Sequence, residues 1–254
     1  MLPSTAHPRR TSLPQVFLGA FVSAALVNCA ANLSGLGGPW LVFCSKGVLM
    51  PLLAAFLHTS TRGKRTLLPR RFLFLALGFC WAGDIALGLP GHDLFLVGMA
   101  AFGFAHLCYI RTFLEGVRWK RLNRRKAVMY GFPFAVYGYT LYPVIAAHMT
   151  GGDLRYRLPM LIYMALVLTS ALSGFLRTLQ FRSSSSTPVL AGAVLFVLSD
   201  SIVALSRFVF PLPAMNFAIM ATYLFAQYLI VKGCVLATPV EPPELRMPLS
   251  PAAA

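Results

Sequence analysis

The chain has 254 residues, 57% of them hydrophobic and 11% charged, with a mean hydropathy of +0.71 and a formal net charge of +15. Such an apolar composition excludes an ordinary soluble domain and a disordered chain, and indicates a polytopic membrane protein. Five cysteines, Cys29, Cys44, Cys80, Cys108 and Cys234, fall in or near apolar runs without a CxxC pair, so they read as small packing residues and argue against a disulfide framework or zinc site.

Apolar runs long enough to cross a bilayer as helices lie at about 14–32, 38–58, 72–90, 92–114, 127–149, 157–176, 188–210 and 213–236. The first follows Arg9 and Arg10 like a signal peptide, but no small-residue cleavage site follows it, so it reads as a mature helix. The second contains Lys46, the third Asp84 and the fourth His106. After the sixth, "RSSSST" is a flexible linker. The seventh contains Ser199, Asp200 and Arg207, and the eighth contains Tyr223 and Gln227. Residues 237–254 form a Pro-rich flexible tail. No run shows period-two alternation, which argues against a membrane β-barrel. The expected fold is all-α: one membrane domain over 1–254 with eight transmembrane helices.

The cations follow the same frame. If the runs alternate in direction, Arg9, Arg10, Arg62, Lys64, Arg65, Arg70, Arg71, Arg118, Lys120, Arg121, Arg124, Arg125, Lys126, Arg177 and Arg182 share one side, while Arg155 and Arg157 stand opposite. The positive-inside rule then places both termini in the cytoplasm. The charge is accounted for by anionic membrane lipids, and no nucleic-acid partner is expected. An inner bacterial membrane and the endoplasmic reticulum fit equally.

Helices three and four carry "AGDIALG" and "GFAHLCYI"; seven and eight carry "LSDSIVALS" and "LFAQYLIV". This pairs Asp84 with Asp200 and His106 with Gln227. Two readings stand: a parallel internal repeat about the membrane normal, or coincidence between short segments.

Of seven acidic residues, only Asp84 and Asp200 lie deep in apolar runs. Each comes twelve residues after the start of its run, about 18 Å from the cytoplasmic side. Lys46 enters from the other side and reaches about the same level. A charge in hydrocarbon costs at least ~2.5 kcal/mol, so such groups face partners or a polar cavity. One Lys leaves one of two carboxylates without a counter-charge, to keep or share a proton. His106 and Gln227, fourteen residues into inward-running helices, are expected in a second polar layer nearer the cytoplasm, with His106 about 9 Å from the carboxylate level. That separation argues against a shared metal site, and no metal or cofactor is expected. Structural readings compete: an ion pair for Lys46, interhelical hydrogen bonding for His106 and Gln227, and snorkelling for Arg207.

The segments "CSKGVLMPLL", "FCWAGDIALGL", "AAFGFAHLCYI", "LFVLSDSIVALSRF" and "TYLFAQYLIVKG" resemble the signature segments of the YhhN-like, or lysoplasmalogenase, membrane family. Gly47 stands where the family usually has proline after the lysine. The resemblance implies an eight-helix hydrolase that cleaves the vinyl ether bond of a lysophospholipid, giving a fatty aldehyde and glycerophosphoethanolamine or glycerophosphocholine. It makes Asp84 and Asp200 the catalytic candidates, with Lys46, His106, Ser199, Tyr223 and Gln227 in support. Lys46 or Arg207 would hold the phosphate. A carboxylate pair suits vinyl ether hydrolysis, which needs a proton donor and an anion beside an oxocarbenium ion. The alternatives are a proton-coupled transporter and a non-catalytic lipid-binding protein.

Overall fold

The structure, a computed structural model, describes residues 12–35, 38–64, 66–118, 124–181, 183–210 and 214–237. Arg9, Arg10, Arg65, Lys120, Arg121 and Arg182 of the expected charge pattern, and the tail from 238, lie outside the described residues. Eight helices occupy the expected runs: α1 (Leu13–Ser34), α2 (Gly38–Thr61), α3 (Arg70–Gly88), α4 (Phe95–Phe113), α5 (Arg124–His148), α6 (Arg157–Gln180), α7 (Ser186–Phe208) and α8 (Ala214–Leu236).

Local sequence sets several of these limits. Ser12 and Gln15 form a capping box at the start of α1, and Gly35, at φ +66°, ends it in the left-handed conformation open to glycine. Among the described residues, seven helices are long and apolar enough to cross a membrane. The chain is therefore a multi-pass integral membrane protein. The remaining helix, α5, is 25 residues long, carries four tyrosines, and contains Pro133 and Pro143.

Successive pairs in the series α1, α2, α3, α4, α6, α7 and α8 pack together, and α8 returns to α1 and α2 to close a ring. α5 packs on α6 and α7. Glycines permit the tightest approaches. A Cβ on Gly83 would lie 2.7 Å from the Phe102 ring, and one on Gly192 would lie 2.7 Å from the Ala226 carbonyl oxygen. Small residues let transmembrane backbones approach in this way. Leu53, Leu77, Tyr109, Phe196 and Ile230 belong to the main core, while Phe95, Met99, Ile145, Tyr156 and Met160 form a smaller cluster. The cavity described next draws its walls from both.

Candidate active site

A cavity of about 100 Å³ opens among α2 to α8, and Lys46, Asp84, Ser199, Asp200 and Tyr223 all reach its wall. The rest of the lining is mainly apolar, including Phe102, Leu141, Val167 and Ile219. Charged groups and apolar side chains therefore face one compartment.

The Asp84 half begins with a broken helical hydrogen bond in α2. Pro51 has no N–H to give to the carbonyl of Gly47, four residues earlier. The Trp81 indole Nε1 of α3 donates to that carbonyl at 2.7 Å. This ties α2 to α3 one residue from Lys46 and three from Asp84. On the other side, buried Asn28 of α1 donates to Ser45 Oγ at 2.9 Å and to the Val42 carbonyl at 3.0 Å. So held, Lys46 Nζ lies 3.1 Å from Asp84 Oδ1, and the Tyr223 hydroxyl of α8 donates to Oδ2 at 2.8 Å.

The Asp200 half has different partners. The Tyr163 hydroxyl of α6 donates to Asp200 Oδ2 at 2.9 Å, and His106 Nε2 lies 3.4 Å from the same oxygen without forming an aligned hydrogen bond. His106 is enclosed by aromatic rings; the Phe196 ring centroid is 4.7 Å away. The expected 9 Å gap between His106 and the carboxylates is therefore wrong for Asp200. α4 starts at Phe95, three residues later than taken, which moves His106 about 4.5 Å toward the carboxylate level. The reach of the two side chains covers the remainder.

Each Asp thus meets a side chain from the second helix of the other pair: Tyr223 of α8 reaches Asp84 of α3, and His106 of α4 approaches Asp200 of α7. Ser199 lines the cavity while donating to the Ile219 carbonyl at 3.2 Å. Gln227 lies behind the cavity wall. It accepts from the Tyr109 hydroxyl at 2.6 Å and donates to Cys80 Sγ at 3.0 Å, one turn before Asp84. Arg207 lies at the end of α7, where it donates to Asp93 Oδ2 at 2.7 Å and covers the Phe95 ring. The cavity wall includes neither His106 nor Gln227 nor Arg207 among the described residues.

Three polar residues on the wall were not anticipated: Tyr163, Tyr137 and Ser201. The Tyr137 hydroxyl and Ser201 Oγ lie 2.8 Å apart and join α5 to α7 beside Asp200. A tyrosine in an apolar run reads as interface material, so composition alone does not mark Tyr163. Depth does. Tyr163 is six residues into α6 and Asp200 eight residues before the end of the antiparallel α7, about 9 and 12 Å from the same face. Among the described residues, no group of three or more His, Cys, Asp or Glu side chains is placed to hold a metal ion.

The model of the YhhN family matches residues 41–234. The chain is 34% identical over 149 residues to a Sus scrofa protein named lysoplasmalogenase TMEM86B, covering 58% of this chain and 56% of that protein. It is 28% identical over 169 residues to the Homo sapiens lysoplasmalogenase TMEM86A, with 64% of this chain and 65% of that protein covered. A Mycobacterium bovis lysoplasmalogenase is 30% identical over 166 residues, covering 65% of this chain and 60% of that protein. The chain thus spans about three-fifths of the length of these curated relatives. No solved structure matches it.

Proposed function

The chain belongs to the YhhN family, and we propose that it is a membrane hydrolase that cleaves the vinyl ether bond of lysoplasmalogens, using Asp84 and Asp200 together. The observation that carries this reading is that both deep carboxylates open on one largely apolar cavity, each hydrogen-bonded by a tyrosine. The names of the relatives supply the substrate class.

The surroundings divide the roles. Asp84 faces the ammonium of Lys46, a counter-charge that keeps it an anion, and its side chain is 1% exposed. Asp200 is 16% exposed and meets a phenol and an imidazole, so it carries a proton and can present it to substrate. Asp200 protonates the outer vinyl carbon, leaving an oxocarbenium ion that Asp84 stabilises. Water adds to the cationic carbon and its proton passes to Asp84, giving the hemiacetal. In its collapse, protonated Asp84 returns that proton to the glyceryl oxygen as the C–O bond breaks, and ionised Asp200 removes the hemiacetal hydroxyl proton. The products are a fatty aldehyde and the glycerophospho-alcohol, and both carboxyl groups regain their starting states. Lys46 acts by fixing the charge of Asp84, and His106 by holding Asp200 from behind.

The test is aldehyde release from a lysoplasmalogen by the purified protein in lipid nanodiscs. Asp84→Asn and Asp200→Asn should each lower turnover by about 10²- to 10⁴-fold, the usual contribution of a positioned acid or base. Thermal unfolding should stay close to that of the wild type. Full activity in both variants would refute the carboxylate mechanism. Substrate-driven proton flux into proteoliposomes without aldehyde would refute the hydrolase and favour a transporter.

A further inference from the structure

A second hollow, of about 400 Å³, runs along the lipid-facing side of the α4–α6 contact. Its walls are apolar and include Ala100, Gly103 and Leu107 of α4 with Pro159, Ile162 and Leu166 of α6. Met99 and Tyr163 line both this groove and the carboxylate cavity. The partition between them is therefore one flexible thioether side chain and the tyrosine whose hydroxyl donates to Asp200.

We propose that the alkenyl chain of the substrate leaves the cavity between Met99 and Tyr163 and lies in the α4–α6 groove, open to the bilayer. This rests on the hydrolase reading above. The reacting vinyl carbon must sit beside Asp200, and the chain begins at that carbon. Tyr163, hydrogen-bonded to Asp200, also lines the groove, so apolar space lies directly past it. The alternative seam, between α5 and α7, is closed beside Asp200 by the Tyr137–Ser201 hydrogen bond. Along the groove α4 and α6 meet through apolar side chains; Arg177 of α6 bonds the carbonyls of Phe113 and Glu115 only beyond the groove, at the end of α4. Lipid chains and aliphatic side chains are equally apolar, so moving a chain from bilayer to groove brings little hydrophobic gain. The groove acts by giving the chain room, and obstruction should matter more than chain length.

Gly103 offers the test. A Cβ there would lie 3.5 Å from Leu166 Cδ1 and 3.9 Å from Tyr163 Cδ2, ordinary contacts that admit a side chain. Gly103→Leu fills the groove, and Ile162→Trp does so from α6 should the first variant fail to fold. With a long-chain lysoplasmalogen, kcat/KM should fall about tenfold or more, the scale of a steric misfit in an apolar site. With a short-chain vinyl ether analogue that ends inside the cavity, it should stay within about twofold, because no misfit arises there. A long-chain lysoplasmalogen with a terminal diazirine should label α4 and α6 in the wild type and lose that label in the variants. Equal long- to short-chain ratios in wild type and variants, or labelling on α5 and α7 instead, would overturn the proposal. A wild type that releases no aldehyde from either substrate would sink the hydrolase reading alone, and the labelling would still decide where the chain lies.

Discussion

Removing one hydroxyl, Tyr223→Phe, reads out the charge on Asp84. Oδ2 of Asp84 receives that hydroxyl at 2.8 Å, while Oδ1 faces Lys46 Nζ at 3.1 Å. A hydrogen bond to an ionised acceptor contributes about 1.5–3 kcal/mol. A neutral bond between transmembrane helices averages only about 0.6 kcal/mol. Asp84→Asn keeps the shape and an accepting oxygen but removes the charge. The double-mutant cycle of Tyr223→Phe with Asp84→Asn should then return the difference between the two kinds of bond, about 0.9–2.4 kcal/mol.

The second carboxylate is the control. In the proposed resting state Asp200 carries a proton, so its bond from Tyr163 at 2.9 Å is already neutral. The cycle of Tyr163→Phe with Asp200→Asn should give a coupling of about zero, because both arms exchange one neutral bond for another. Both cycles can be measured as reversible unfolding in bicelles. If the Asp84 coupling also falls to about zero, Lys46 is not holding Asp84 as an anion, and the division of roles fails. If the Asp200 coupling is the larger, the roles are reversed.

Two further outcomes concern the scaffold. Gly192→Ala should destabilise the protein by about 1–3 kcal/mol, because the new methyl meets the Ala226 carbonyl at 2.7 Å on the adjacent helix. Gly78→Ala, with nothing within 4 Å, should be neutral or stabilising by up to about 1 kcal/mol; equal thermal shifts for the two would refute the close approach of α7 and α8. Trp81→Phe should cost about 0.6–1.7 kcal/mol by leaving the Gly47 carbonyl without its donor, and should lower activity by loosening Lys46. Trp40→Phe, at an exposed position, is the comparison, and a matching response from both would show that the Trp81 bond does not position Lys46.

Much of the helical frame was legible because seven of the described helices are apolar enough and long enough to span, a signal that needs no tertiary information. Lys46, Asp84 and Asp200 were legible for the opposite reason: they break that pattern, and helix rise converts their positions into depths. The same conversion misplaced His106, since an error of three residues in the start of α4 is an error of about 4.5 Å. Distance along the helix axis was the second variable, because residues four or seven apart share a face but stand one or two turns apart. Arg207 shares a helix with Asp200, yet it ends at Asp93 outside the cavity. Gln227 lies one turn beyond Tyr223, and it bonds Cys80 and Tyr109 behind the wall.

What packing adds is inequality. In the sequence the two aspartates stand in similar segments at similar depth, and nothing ranks them. Lys46 could have faced either one. Its choice is set by the stretch of α2 before Pro51, where the Gly47 carbonyl that Pro51 leaves free accepts from Trp81 on α3, the helix that also bears Asp84. That tie brings the ammonium to Asp84 and leaves Asp200 to Tyr163 and His106. A proline and an indole with no chemistry of their own thereby give the two carboxyl groups different partners, the difference on which the proposed anion and acid roles rest. Two carboxylates sharing one lysine can serve different steps of one reaction only when such a separation exists.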